Sequence, residues 1–120
     1  MIKYYIFFIA FLWGIPIIDA QTTNIPDSNF ESILISKGID DVLDGEVLTS
    51  NISNIKELDV FAMNVAQVAD LTGIEDFTSL EILKCDSNNL TGLDLSSNTA
   101  LIKLECQNNL IDNLDLSSNT

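Results

Sequence analysis

Residues 80–100 read LEILKCDSNNLTGLDLSSNTA and residues 101–120 read LIKLECQNNLIDNLDLSSNT; the two stretches align without a gap. Leu80, Leu83, Cys85, Asn88, Leu93, Asp94, Leu95 and Asn98 recur as Leu101, Leu104, Cys106, Asn109, Leu114, Asp115, Leu116 and Asn119, each 21 residues further on. A fixed period of this length marks a repeat architecture, in which each turn buries its apolar face against its neighbours. A finer interval runs inside it: Leu83, Leu93, Leu104 and Leu114 lie 10, 11 and 10 residues apart, and Asn88, Asn98, Asn109 and Asn119 repeat those spacings. Each period is therefore two similar halves, each an L-x-[CL]-x-x-N unit with alternate residues turned inward as in a strand. Neither half has room for more than about a turn or two of helix. The pattern predicts a flattened coil with short extended segments along both sides, stacked into two parallel ladders at about 4.8 Å per turn.

Tight corners in such a coil strand backbone donors and acceptors away from water. A side-chain amide supplies both kinds of partner, so Asn88 and Asn109, and Asn98 and Asn119, are expected to form hydrogen-bonded ladders there. The pattern L-x-x-L-x-[LC]-x-x-N-x-[LI] resembles the leucine-rich repeat, and its doubled 21-residue form is similar to the nested bacterial class called IRREKO. The resemblance implies a leucine-rich-repeat solenoid: short parallel strands stacked in a flattened right-handed coil with an N-terminal capping helix.

Upstream the pattern loosens. Ile55-Lys56-Glu57-Leu58-Asp59-Val60 has the same strand form, but Leu58 and Leu83 are 25 residues apart, with the extra length around Phe61 to Val68. Asp70-Leu71-Thr72-Gly73-Ile74-Glu75-Asp76-Phe77-Thr78-Ser79-Leu80 resembles the D-L-x-G-[IL]-x-x-[FL]-x-x-L stretch of internalin-like repeats, where the backbone bends at Gly and apolar residues plug the convex side. Earlier still, Phe30, Ile33, Leu34 and Lys37 follow helical spacing, with Asp27 or Ser28 to cap the start and Gly38 to close the end. One apolar face of this helix would cover the first turn, which a stack of repeats requires. The start Ile25-Pro26-Asp27-Ser28-Asn29-Phe30-Glu31, with the later Asp44-Gly45-Glu46-Val47-Leu48-Thr49, resembles the capping region of secreted bacterial repeat proteins.

The first twenty residues differ from the rest. Lys3 precedes the apolar run Tyr4 to Trp13, Gly14 and Pro16 interrupt it, and Ala20 offers a small residue at a cleavage point. This is the form of a secretory signal peptide cut before Gln21. The apolar run is too short to span a bilayer comfortably, so no transmembrane segment is expected after its removal. The expected organisation is residues 1–20 as signal peptide, 21–54 as N-terminal cap with a helix over about 27–37, and 55–120 as repeats. The repeats divide into an irregular turn at 55–79 and regular turns at 80–100 and 101–120. Asn119-Thr120 stops where the preceding turn continues with Ala100-Leu101, so the chain is expected to be part of a longer protein.

Five Lys, no Arg and no His stand against eighteen Asp plus Glu, for a net charge of −13. Nucleic acid is a poor partner for such a surface. With no His, neither cysteine has a base to make it a nucleophile, and carboxylates alone make a weak case for a hydrolase. No cofactor or metal is implied. Asp40, Asp41, Asp44 and Glu46 form an acidic loop, but Val42 stands where an EF-hand needs an oxygen ligand, so a solvated turn is the better reading. Cys85 and Cys106 occupy the same inward position one turn apart. Buried thiols acting as small hydrophobes are favoured over a disulfide, whose dihedral suits parallel side chains poorly.

The expected role is an extracellular or cell-surface binding module for a protein or glycan. The alternatives are a structural spacer and the non-catalytic part of a secreted hydrolase. The outward residues of the first ladder are the candidate binding surface: Glu57, Asp59 and Phe61, then Ile82, Lys84 and Asp86, then Lys103, Glu105 and Gln107.

Overall fold

The computed structural model describes residues 20–61 and 67–120. The expected signal segment therefore lies, but for Ala20, outside the described residues.

The chain enters through strand β1 (Thr22–Asn24), helix α1 (Ser28–Ser36), strand β2 (Glu46–Leu48) and the short helix α2 (Thr49–Ile52). β1 and β2 pair antiparallel, with Thr23 opposite Val47. Asp27 sits in an extended conformation ahead of α1, and its Oδ1 accepts from the backbone N–H groups of Asn29 (2.9 Å) and Phe30 (3.1 Å). Two of the donors that a helix start leaves without partners are thus satisfied. Phe30, Ile33 and Leu34 are buried, whereas Lys37 is exposed and takes no part in the apolar face. Glu31 is also buried, at 2% exposure.

Strands β3 (Glu57–Asp59), β4 (Ile82–Lys84) and β5 (Lys103–Glu105) follow, joined in a parallel sheet of that order. Their register aligns Leu58 with Leu83 and Leu83 with Leu104, each one turn apart. The period-21 alignment of the sequence is therefore a physical neighbour relation. Leu58, Val60, Leu83 and Cys85 point into the core, joined there by Leu71, Ile74, Phe77, Leu80, Leu90 and Leu95. At the β5 end Leu104, Cys106 and Ile111 are only partly buried against this cluster.

The extra length before β4 is accommodated by a bend at Gly73, where φ is +105°. A side chain there would be strained in that conformation, and its Cβ would run into the Ile25 side chain and lie 2.8 Å from the Asn24 carbonyl oxygen. Ile74–Asp76 then form a single turn of 3₁₀ helix, and Phe77 stacks on Phe30 with ring centroids 6.3 Å apart. The Thr23 hydroxyl, buried in the cap, donates to Asp76 Oδ2 at 2.7 Å. Cap and first repeat thus share one core.

The second parallel ladder is not formed. Among the described residues, Leu93–Leu95 and Leu114–Leu116 carry no strand. The reason is local: Asp94 Oδ1 accepts from both the backbone N–H (3.0 Å) and the hydroxyl (2.7 Å) of Ser96, and Asp115 Oδ1 accepts from Ser117 N–H at 2.9 Å. These side-chain turns divert donors that a ladder would need. Asp70 makes the same turn with Thr72 one repeat earlier. Hydrogen bonding to Ser96 also holds the Asp94 carboxyl below its usual range, and bonding to Ser117 does the same for Asp115 against the repulsion of Asp94.

The asparagines differ from expectation too, because each reaches back to the backbone of the preceding turn rather than to its counterpart's side chain. Asn109 Nδ2 donates to the Cys85 carbonyl at 2.8 Å while its Oδ1 accepts from Leu90 N–H at 3.0 Å. On the other corner, Asn98 Nδ2 donates to the carbonyls of Ile74 (2.8 Å) and Phe77 (3.1 Å), and Asn119 Nδ2 to those of Leu95 (2.9 Å) and Asn98 (2.8 Å).

Candidate functional site

Alternation along the three parallel strands turns every second side chain away from the core. The outward side chains stack into three rows: Glu57, Ile82 and Lys103; Asp59, Lys84 and Glu105; and, just past the strand ends, Phe61, Asp86 and Gln107. The register thus places all nine candidate residues on one side of three neighbouring turns.

Ion pairs organise this face. Lys84 Nζ lies 2.6 Å from Glu57 Oε1 on the adjacent strand, and Lys103 Nζ lies 2.6 Å from Glu105 Oε1 on its own strand. Lys56 and Glu81 make a further pair at 2.7 Å at the edge of the face. The hydrogen bond from Lys84 to Glu57 raises the lysine pKa, with the charges of Glu105 and Asp59 adding to it, while the bond from Lys103 lowers that of Glu105. Exposed pairs of this kind stabilise by at most about 1 kcal/mol. They do hold long side chains in fixed positions. Asp59 Oδ1 is turned back to its own strand end, accepting from Phe61 N–H at 2.9 Å. The Phe61 ring is 49% exposed, an apolar contact point at the corner of an otherwise polar surface.

The other sequence candidates resolve differently. Glu31 Oε1 accepts from the N–H groups of Asp44 (2.8 Å) and Gly45 (2.7 Å), so the acidic loop is organised around a buried carboxylate. Burial raises the pKa of Asp40, and the nearby charges of Glu31, Asp44 and Asp41 add to the effect. Among the described residues, no three His, Cys, Asp or Glu side chains converge as a metal site would require. Cys85 and Cys106 are free thiols, the first buried and the second half-buried. Burial pushes Cys85 up to about 12, the wrong direction for a nucleophile. A groove of about 740 Å³ runs along the flank between Asp70–Glu75 and Thr91–Asp94. Its carboxylates are engaged by their own turns, Asp70 with Thr72, Asp94 with Ser96 and Glu75 with Gly73 N–H.

Two groups escaped the sequence reading: Glu31, and the second oxygen of Asp27, which accepts from Ala69 and Asp70 N–H. A signal for Glu31 was present. It stands beside Phe30 and three residues before Leu34, inside the apolar stripe of α1.

Parallel strands one turn apart, inward leucines at every turn and asparagines closing the corners define the architecture of leucine-rich-repeat domains. The comparisons point to internalins. Internalin J of Listeria monocytogenes is 36% identical over 74 residues, which is 62% of this chain and 8% of that protein. The solved functional domain of InlJ from the same organism, which includes a cysteine ladder, superposes with a TM-score of 0.71 and 34% identity over 84% of this chain and 22% of that one. The Listeria internalin InlF superposes with a TM-score of 0.64 and 26% identity, over 78% of this chain and 26% of that one. This chain thus spans less than a third of each of these relatives. No family model matches it. No helix among the described residues is long and apolar enough to cross a membrane.

Proposed function

We propose that the chain is a binding module of a secreted or cell-surface bacterial protein, and that the face of β3, β4 and β5 meets a protein or glycan partner. The observation that carries this reading is the placement of nine outward side chains in three ordered rows, two of them braced by ion pairs. Likeness to internalins supports it, as does the buried, alkaline-shifted state of Cys85, the stronger candidate for a nucleophile. The described turns are the first part of a flattened right-handed solenoid, with residues 21–54 as its cap. Residues 1–20 direct export and are removed before Gln21. Cys85 and Cys106 begin a column of stacked thiols comparable to the ladder of the InlJ domain.

The chain, screened against glycan arrays and displayed protein libraries, is expected to give hits that weaken in a Phe61→Ala/Lys84→Glu variant. Those hits should survive Thr91→Ala/Ser97→Ala on the flank. Loss with the flank variant alone would move the site to the groove.

A further inference from the structure

At the side away from the cap, β5 presents an edge with which no strand pairs among the described residues. The face behind it is apolar. Ile102 is 80% exposed, Leu110 62% and Leu116 42%, while Leu104, Cys106 and Leu114 are half-buried where their counterparts Leu83 and Cys85 are fully buried. The opposite end cannot receive this face, because β1, β2 and α1 cover it through Phe30, Ile25 and Thr23. Head-to-tail stacking of copies is therefore blocked.

For the 120-residue chain we propose that the β5 edge joins a second copy of itself, antiparallel about a two-fold axis at Leu104. The sequence of the strand is self-complementary in that arrangement. Pairing Leu104 with the partner subunit's Leu104 sets Lys103 opposite the partner's Glu105 and, by symmetry, Glu105 opposite the partner's Lys103. The same register places Ile102 beside the partner's Cys106, two apolar groups. The Lys103–Glu105 bond within the strand, 2.6 Å long, already brings these charges together and is exchanged for a cross-strand pair. Opposed residues of antiparallel strands point to the same side of the sheet. The two apolar faces therefore meet on one side, and the two outward faces form a continuous surface on the other.

Such a dimer is isologous and closed, with a capped end at each extremity. It also alters the binding surface, because β3, β4 and β5 continue into the partner's β5, β4 and β3. The outward rows are then doubled and two-fold symmetric, suited to a partner with two equivalent contact points. Dimerisation stands apart from the binding role, since it holds whatever the outward face recognises.

Sedimentation velocity on the chain from about 1 to about 100 µM, spanning the range of weak specific complexes, reads this directly. The expected result is a concentration-dependent monomer–dimer equilibrium without larger species. Lys103→Glu or Glu105→Lys alone sets like charges opposite each other at two symmetric places and should weaken the dimer about tenfold or more. The double variant K103E/E105K should recover most of the loss. Circular dichroism of each variant controls for folding. A monomer throughout, a ladder of open-ended polymers, or a dimer indifferent to both single charge reversals would each overturn the arrangement.

Discussion

Asp27 Oδ2 accepts from Ala69 N–H at 2.8 Å across 42 residues of chain. The same oxygen accepts from Asp70 N–H at 2.9 Å, while Oδ1 caps α1. One carboxylate therefore starts the helix and fastens it to the first repeat. Asp27→Ala is expected to cost about 2–4 kcal/mol, a helix cap plus charged hydrogen bonds to two further donors. Urea denaturation would measure it. A loss below about 0.5 kcal/mol, the size of an ordinary surface substitution, would mean that the latch is dispensable.

Glu31 is the second such latch, holding Asp44 and Gly45 N–H from inside the core. Glu31→Ala leaves both donors without their acceptor, at a cost of about 2–3 kcal/mol. Glu31→Gln retains an acceptor oxygen and should cost less. Amide exchange at Asp44 and Gly45 should quicken in the alanine variant well before global unfolding. Unchanged exchange at those two amides would refute the assignment.

Gly73 combines a φ of +105° with close contact to Ile25 and the Asn24 carbonyl. Gly73→Ala is expected to destabilise by more than about 1 kcal/mol, through both strain and displacement of the cap. Thermal unfolding with a probe on Phe30–Phe77 packing would register both effects. Wild-type behaviour would show that the backbone relaxes there at no cost.

Cys85 links stability to pH. Its thiol is pushed from the ordinary value of 9.0 up to about 12 by burial, with smaller contributions from Cys106 and Asp86. The folded state thus favours the neutral, protonated thiol. The stabilisation is fully present below pH 9.0 and is lost as pH climbs from there toward 12. Stability should fall over that window in the native chain and fall less in Cys85→Val. At pH 8 a thiol reagent should leave Cys85 unmodified until the chain is unfolded. Rapid labelling of native Cys85 would contradict its burial.

How far the fold was legible depended on the kind of force involved. The stacking of Leu58, Leu83 and Leu104 could be read because burial imposes a period on sequence, and a period survives without coordinates. The asparagine corners were legible for the same reason, though not their partners, since an amide that repeats does not say whether it bonds to another amide or to a backbone. The missing second ladder shows where periodicity misleads. Leu93 and Leu95 alternate like strand residues, but Asp94 is followed two places on by Ser96, and that side-chain turn competes with strand pairing. Glu31 was missed because a charged residue is read as solvated by default. The candidate face could be read only as far as which residues share it; the pairing of Lys84 with Glu57 across strands depends on register.

Asn88 carries a consequence of a different kind. Its Nδ2 donates to the Val60 carbonyl at 3.4 Å and its Oδ1 accepts from Val68 N–H at 2.9 Å. A single amide therefore pins both ends of the stretch in which the irregular turn exceeds the regular period. Between those two pins, chain length is decoupled from repeat stacking, because Leu58 and Leu83 stay in register whatever number of residues intervenes. Lengthening such a tethered stretch costs only loop-closure entropy, about 0.6 kcal/mol per doubling. The position is a permissive insertion point, opening directly beside Phe61, where evolution or a protein engineer can graft new recognition elements onto the outward face without rebuilding the scaffold beneath it.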